Sequence, residues 1–359
     1  MPPARGVGYD RGVGMRQALT RWVSRVGAPG FVLRAKAAVR LPVISILTYH
    51  HIAEPVDGDG FDPDVADATP SQFQSQMELI SRYCTAISID ELIAALAGEP
   101  LPPNPVLITF DDGYASNIEV AAPILERLRL PATFFVATRF VDERRLFWWE
   151  AIAQILELGR RQGKHEIDLT YPAPTRVSLR KPHTRSALLR LVKGTADLDV
   201  DRFVTELAAA AGVDWTLAHQ RDLADLRIMT WKQVRQLAAA GLDVESHGHA
   251  HRVLATMSVD DLRVDLQLSK SLLETQLGRP QRAIAYPVGH PIVQNPALRS
   301  AVVAAGYRLG FTNGTGVNRV WEGIDPFDIK RLATDRAMSP PTLLAQLAFP
   351  QLAHTRELR

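Results

Sequence analysis

"LITFDDGY", residues 107–114, is the stretch whose reading decides the fold. It begins as an unbroken apolar run and stops at two adjacent carboxylates, Asp111 and Asp112. A run with no polar alternation suits a strand buried on both faces, as in a parallel sheet or barrel. "ATFFVA", residues 132–137, has the same character. Neighbouring acids each raise the cost of ionising the other, so a strand ending in this pair calls for a positive partner.

Working outward, further strand candidates cover 42–50, 85–89, 105–112, 131–138, 241–247, 283–289, 307–313 and 327–334. Helical patterns alternate with them. Thr69 with Gln72, Ser88 with Glu91 and Thr230 with Gln233 fit the capping box, in which two orphan N–H groups are satisfied reciprocally. Ser258 can cap a helix carrying Val259, Leu262, Leu266, Leu273 and Leu277 at helical spacing, with Gly278 and Pro280 stopping it. The alternation predicts an α/β barrel with its site at the carboxyl ends of the strands, where "FDDG" falls. Residues 144–227 break the rhythm: helical patterns surround a loop at "YPAPTRVSLRKPHT", and the region reads as an insertion in the barrel. Trp148 and Trp149 in "LFWWE" are either core or a sugar-stacking platform.

The composition is that of an ordinary globular protein: 359 residues, 46% hydrophobic, 22% charged, formal net charge +2. So small a charge, with no arginine-rich groove, argues against a nucleic-acid partner. Cys84 is alone, which leaves His, Asp and Glu for any metal site. No apolar run reaches the ~20 residues of a membrane span, and no secretory signal pattern is visible, so a cytoplasmic location is the expectation. The first 41 residues carry eight arginines and lysines. This basic extension either packs on the domain, frays, or lies on a membrane surface as a peripheral contact.

A second polar cluster is "ESHGHAHR", residues 245–252. In an extended strand His247 and His251 would stand roughly 13 Å apart, too far to share an ion. If the chain turns after His247, as Gly248 permits, the rings come within about 6 Å. His249 is expected to face solvent. A divalent cation would then neutralise one carboxylate of the pair as a ligand and leave the other free as a base. Two histidines and one carboxylate leave coordination positions open, as catalytic zinc does. Zinc fits best, and other first-row ions are compatible. "AIAYPVGH", residues 283–290, offers a turn whose backbone N–H at Val288 could meet an oxyanion. "LTYHHI", residues 47–52, ends the first strand, and alternation forbids His50 and His51 from facing the same side.

"TFDDGY" and "SHGHAH", in this order, resemble the first two motifs of the polysaccharide deacetylases, the NodB-homology superfamily or carbohydrate esterase family 4. The resemblance spans residues 42–335, with 336–359 as a C-terminal helix and tail. It implies a distorted (β/α) barrel of seven or eight mostly parallel strands. It also implies metal-dependent removal of acetyl groups from N-acetylhexosamine units of an acetylated polysaccharide or glycan precursor. On the matching positions, Asp111 would be the general base, and Asp112, His247 and His251 would hold the metal. Tyr114, Tyr286, Pro287 and Val288 would face the substrate or the oxyanion. Three departures stand out: Ala285 replaces the arginine that usually pairs with the base, Val288 replaces a tyrosine, and no C-terminal Leu-x-His motif supplies an acid. "LTYHHI" resembles the permuted acid motif of the poly-N-acetylglucosamine deacetylase branch, which makes His50 the candidate acid. Arg331, in "DIKRLATD", is the candidate substitute for the missing arginine. Two other readings stay open: hydrolysis of an O-acetyl ester or small acetylated metabolite, and a non-catalytic carbohydrate-binding relative.

Overall fold

The computed structural model describes residues 28–54, 56, 60–292 and 294–350. Seven parallel strands close on themselves: β1 (Val43–Tyr49), β2 (Pro105–Phe110), β3 (Thr133–Val136), β4 (Asp243–Ser246), β5 (Ala283–Ala285), β6 (Leu309–Thr315) and β7 (Ile329–Ala333). Each pairs with the next in sequence, and β7 returns to β1 with Leu47 opposite Leu332. The expected barrel is therefore present, with seven strands. One expected strand differs at the edge, and one unexpected strand is added. The 85–89 candidate shortens to Thr85–Ala86, which lies beside β2 outside the ring. Asn318–Arg319 adds an antiparallel bridge to β1.

The period-two rule explains the lumen. Ile44, Ile46, Leu107, Phe135, Ala283, Ala285, Leu309, Phe311 and Ile329 form one buried cluster drawn from six of the seven strands, and only the barrel interior lets them meet. The opposite faces of the same strands, through Leu47, Tyr49, Ile108, Phe110 and Phe134, pack in the larger cluster that includes the outer helices. Continuing the inward parity toward the carboxyl ends leads to Asp111 after β2, His247 after β4, Asn313 in β6 and Arg331 in β7. The apolar lumen thus gives way to polar groups at one mouth.

All three capping boxes form as read: Thr69 with Gln72, Ser88 with Glu91 and Thr230 with Gln233. Ser258 caps the helix Val259–Leu277, and Gly278 ends it in a left-handed conformation. The insertion contains the helices Trp148–Arg161, Thr184–Gly194, Val200–Ala211 and Leu217–Arg227. The segment expected to be a loop is in part a hairpin: Thr175–Ser178 pairs antiparallel with Glu166–Leu169, burying Ile167, Leu169 and Val177. The alternation is only four residues long, too short a signal beside the prolines.

The helix Ala28–Ala38 packs against the C-terminal helix Pro340–Ala348, with Lys36 Nζ donating to Leu347 O at 3.1 Å. The rest of the basic extension, residues 1–27, lies outside the described residues. Among the described residues no helix is long and apolar enough to cross a membrane.

Candidate active site

The backbone N–H of Asp111 donates to Tyr49 O at 2.8 Å, extending the β1–β2 ladder by one residue and holding the side chain to the lumen parity. Its carboxylate receives a bidentate fork from Arg331: Nη1 to Oδ1 and Nη2 to Oδ2, both 2.8 Å. Arg331 is itself fixed, donating from Nε to Thr312 O (3.1 Å) and from Nη2 to Asn313 Oδ1 (2.7 Å). Burial opposes ionisation of Asp111, but the guanidinium outweighs it and holds the carboxyl below its usual range.

Asp112 turns the other way because its φ is 73°, a left-handed conformation that breaks the strand. Its Oδ1 lies 3.4 Å from His247 Nε2 and 3.2 Å from His251 Nε2. The His247 N–H continues the ladder to Val136 O, while its Nδ1 lies 2.8 Å from Ala285 O. A carbonyl only accepts, so Nδ1 carries the proton and the Nε2 lone pair faces inward. The chain then turns at Gly248 (φ 72°), and buried Asp265 clamps the turn by accepting from the N–H groups of His249 (2.7 Å) and Ala250 (2.8 Å). That turn brings the two rings to a centroid separation of 4.8 Å, the compact alternative rather than the extended one.

The buried ligand atoms of Asp112, His247 and His251 lie within 4.8 Å of one another. Asp112 Oδ1 is buried without a hydrogen-bond partner, although ring nitrogens approach it. An acceptor oxygen facing two imidazole nitrogens is the donor set of a divalent cation, and these residues fit one. Burial raises the Asp112 pKa, but the two histidines outweigh it and the carboxyl is held well below its usual range.

The polysaccharide deacetylase family model matches residues 98–219 and 203–310, together more than half of the chain. The chain belongs to the polysaccharide deacetylase family. A comparison with curated protein sequences returned no match. Among solved structures the deacetylase PplD of Streptococcus pyogenes is similar, at 20% identity and a TM-score of 0.56 over 85% of this chain and 98% of that one. IcaB from Ammonifex degensii gives 19% and 0.53 over 86% and 97%. A de-N-acetylase from Aggregatibacter actinomycetemcomitans gives 17% and 0.51 over 82% and 95%. At these identities the likeness speaks for the fold.

In this member of the family, His50 follows directly after β1 at the same mouth. Asp67 Oδ2 accepts from its backbone N–H at 2.6 Å and lies 2.8 Å from ring Nδ1. Burial lowers the pKa of His50, but the Asp67 charge and hydrogen bond, together with Asp111 and Asp112, outweigh it and raise it above the ordinary histidine value. His51 points away, as alternation requires. Its ring bonds Ser116 Oγ (2.7 Å) and Arg227 Nη1 (2.9 Å), and burial with the arginine pushes it down to about 4.

Several expected site residues are elsewhere. Tyr114 is fully buried, its hydroxyl donating to Glu150 Oε1 (3.1 Å) and accepting from Trp149 Nε1 (2.9 Å), so it belongs to the core. Tyr286 is out of parity with Ala283 and Ala285. It packs with Leu266 and Ile292 outside the lumen and donates to Phe327 O at 3.1 Å. His249 is half-buried rather than exposed, with Nδ1 3.0 Å from Thr138 Oγ1. Pro287 is buried, and Val288 holds φ 63° in a single 3-10 turn. Gly289 is required there, because a Cβ would lie 2.4 Å from Asn313. Trp148 and Trp149 are buried packing and back the metal loop: Trp148 Nε1 donates to His251 O (3.2 Å), and the Trp149 ring centroid lies 4.4 Å from that of His251. Sequence reasoning missed Asp67, Asp265 and Asn313, each a lone polar residue outside any motif.

Proposed function

We propose that the chain hydrolyses the acetamide of N-acetylhexosamine units in a polysaccharide or glycan precursor, using a divalent metal held by Asp112, His247 and His251. One observation carries this reading: adjacent carboxylates are sorted into different roles, Asp112 among the imidazoles and Asp111 on a guanidinium, with a carboxylate-paired His50 at the same mouth. The metal, zinc by preference, would supply Lewis acidity to the acetyl carbonyl and to the attacking water.

Asp111 accepts the proton of that water. It is ionised at neutral pH because Arg331 favours its charged form, and Arg331 itself cannot give up a proton. The Val288 N–H belongs to the first residues of a 3-10 turn, which lack an internal acceptor, and is the backbone donor for the developing oxyanion. His50, whose pKa the neighbouring Asp67 carboxylate raises, delivers a proton to the departing nitrogen. An amine leaving group needs that proton more than an alkoxide of a good ester does, so the Asp67–His50 pair favours amide over ester substrates. A similar structure described as a de-N-acetylase agrees with this.

The test is acetate release from N-acetylglucosamine oligomers, peptidoglycan and acetylated xylan, with and without chelator. Release from the oligomers that stops with chelator and returns with zinc is the expected result. Release from xylan alone would make the enzyme an esterase. Oligomer binding by metal-loaded protein with no acetate from any substrate would end the enzymatic reading.

A further inference from the structure

Three consecutive residues in the first turn of the insertion helix Trp148–Arg161 reach two parts of the mouth. Trp148 and Trp149 back the metal loop, through the carbonyl and the ring of His251. Glu150 turns instead to the segment that leads into Asp67. Its Oε2 accepts from the Asp62 N–H at 2.6 Å, and its Oε1 from the Tyr114 hydroxyl at 3.1 Å. Glu150 is fully buried, and burial pushes its carboxyl up to about 8. An apolar side chain would fill the position without the cost of burying an acid, but it could not accept from the Asp62 amide.

Two further helices of the insertion grip the same segment. Arg185, on Thr184–Gly194, pairs through Nη1 with Asp62 Oδ1 at 2.8 Å and through Nη2 with Asp64 Oδ2. Asp62 is buried, and its Oδ1 also accepts from the Asp64 N–H at 2.9 Å, which fixes the 3-10 turn Pro63–Val65. Arg227, at the end of Leu217–Arg227, lies 3.7 Å from the Phe61 ring centroid and places Nη1 2.9 Å from His51 Nε2. From outside the insertion, Arg336 Nη2 donates to Pro63 O at 2.6 Å. Directly after the turn comes Ala66–Ala68, paired with His51–Ile52, and Asp67 within it holds His50.

We propose that the insertion is a brace fixing the acid relative to the metal position, with Glu150 and Arg185 as positioning residues that act on His50 through Asp62, Asp64 and Asp67. It rests on the reading above for the role of His50, while the brace itself can be measured without turnover. One rigid helical turn joins the metal loop to the acid arm, so it sets the spacing that proton delivery to the leaving nitrogen requires.

The test has two arms, both on the zinc-loaded full-length chain. In the first, amide hydrogen exchange is followed at residues 60–68 and at the His50 amide, which donates to Asp67, with the barrel strand Pro105–Phe110 as internal control. Arg185→Gln should speed exchange at 60–68 and at His50 by about tenfold, the worth of one charge-assisted hydrogen bond, and leave the strand protected. Arg185→Lys should restore part of that protection. In the second arm, chelator-sensitive acetate release from N-acetylglucosamine oligomers is compared with that from 4-nitrophenyl acetate, whose phenolate leaves without a proton. The ratio of amide to ester kcat should fall by about tenfold in Arg185→Gln and further in Glu150→Ala. Arg185 is partly exposed, so its variant carries the test where Glu150→Ala fails to fold. Exchange that is unchanged at 60–68, or that quickens equally in the strand, overturns the proposal, and so does a fall of both turnovers that keeps their ratio. Local loosening with no acetate released from any oligomer, by wild type included, upholds the brace and removes the deacetylase reading instead.

Discussion

Asp111 and His50 occupy one mouth but are held by different kinds of structure. Asp111 is carried by β2, locked into the barrel ladder and forked by Arg331 from β7, so both partners are members of the closed ring. His50 lies beyond the end of β1 and depends on Asp67, in the short strand Ala66–Ala68 that, among the described residues, pairs with His51–Ile52 outside the ring. The base is set by strand parity and a rigid guanidinium; the acid is set by a local annex with its side chain 22% exposed. The difference predicts that damage to the base side is severe and shows in the rate at all pH values, whereas damage to the acid side shows mainly as a shifted pH profile.

Asp111→Asn gives the largest effect. It keeps the shape but removes the proton acceptor, and kcat should fall by about 10⁴ while zinc affinity, read by chelator competition, stays near wild type. Near-normal turnover would move the base elsewhere and dissolve the contrast. Arg331→Lys retains a charge and loses the fork, so kcat should fall by about 10² through misplacement of the carboxylate. Because Arg331 holds the Asp111 pKa down, its loss raises that pKa, and the acid limb of the rate profile should move to higher pH.

Asp67→Asn sharpens the other side. Asp67 raises the His50 pKa, so removing its charge lowers it, and the alkaline limb should move down in pH. The rate should fall by about tenfold on the alkaline side of the profile, with little change on the acidic side. An unmoved alkaline limb would assign the acid role to another group. Tyr114→Phe is the smallest. Two buried hydrogen bonds are lost, and thermal unfolding should report about 1–2 kcal/mol, with kcat within about twofold of wild type. A large kcat loss there would return Tyr114 to the substrate groove.

Much of this was legible in the residues. The strands, the caps and the metal cluster each rest on a local pattern: unbroken apolar runs, a reciprocal pair three residues apart, polar groups stacked at a strand end. Arg331 was reachable because it lies in a strand-like run at the right end of the chain. Tyr286 was misplaced although the alternation in "AIAY" already separates it from Ala283 and Ala285; reading the turn as a unit hid the parity. Asp67, Asp265 and Asn313 carried no comparable signal. Each serves a partner distant along the chain (Arg331 for Asn313, 18 residues away; the His249 amide for Asp265, 16 residues away), and nothing local distinguishes such an acid or amide from a solvated one. The hairpin in the insertion was lost because two four-residue strands cannot outweigh the neighbouring prolines.

Eight non-glycine residues among those described hold positive φ, and three of them, Asp112, His251 and Val288, lie at the mouth. Each costs on the order of 1–3 kcal/mol in backbone strain. A laboratory search that rewards heat tolerance and ignores turnover would therefore be drawn to these three places, where glycine relaxes the chain at once. The variants that survive boiling best would be the ones that had traded away a ligand or the oxyanion turn, so hardness and chemistry must be screened together here.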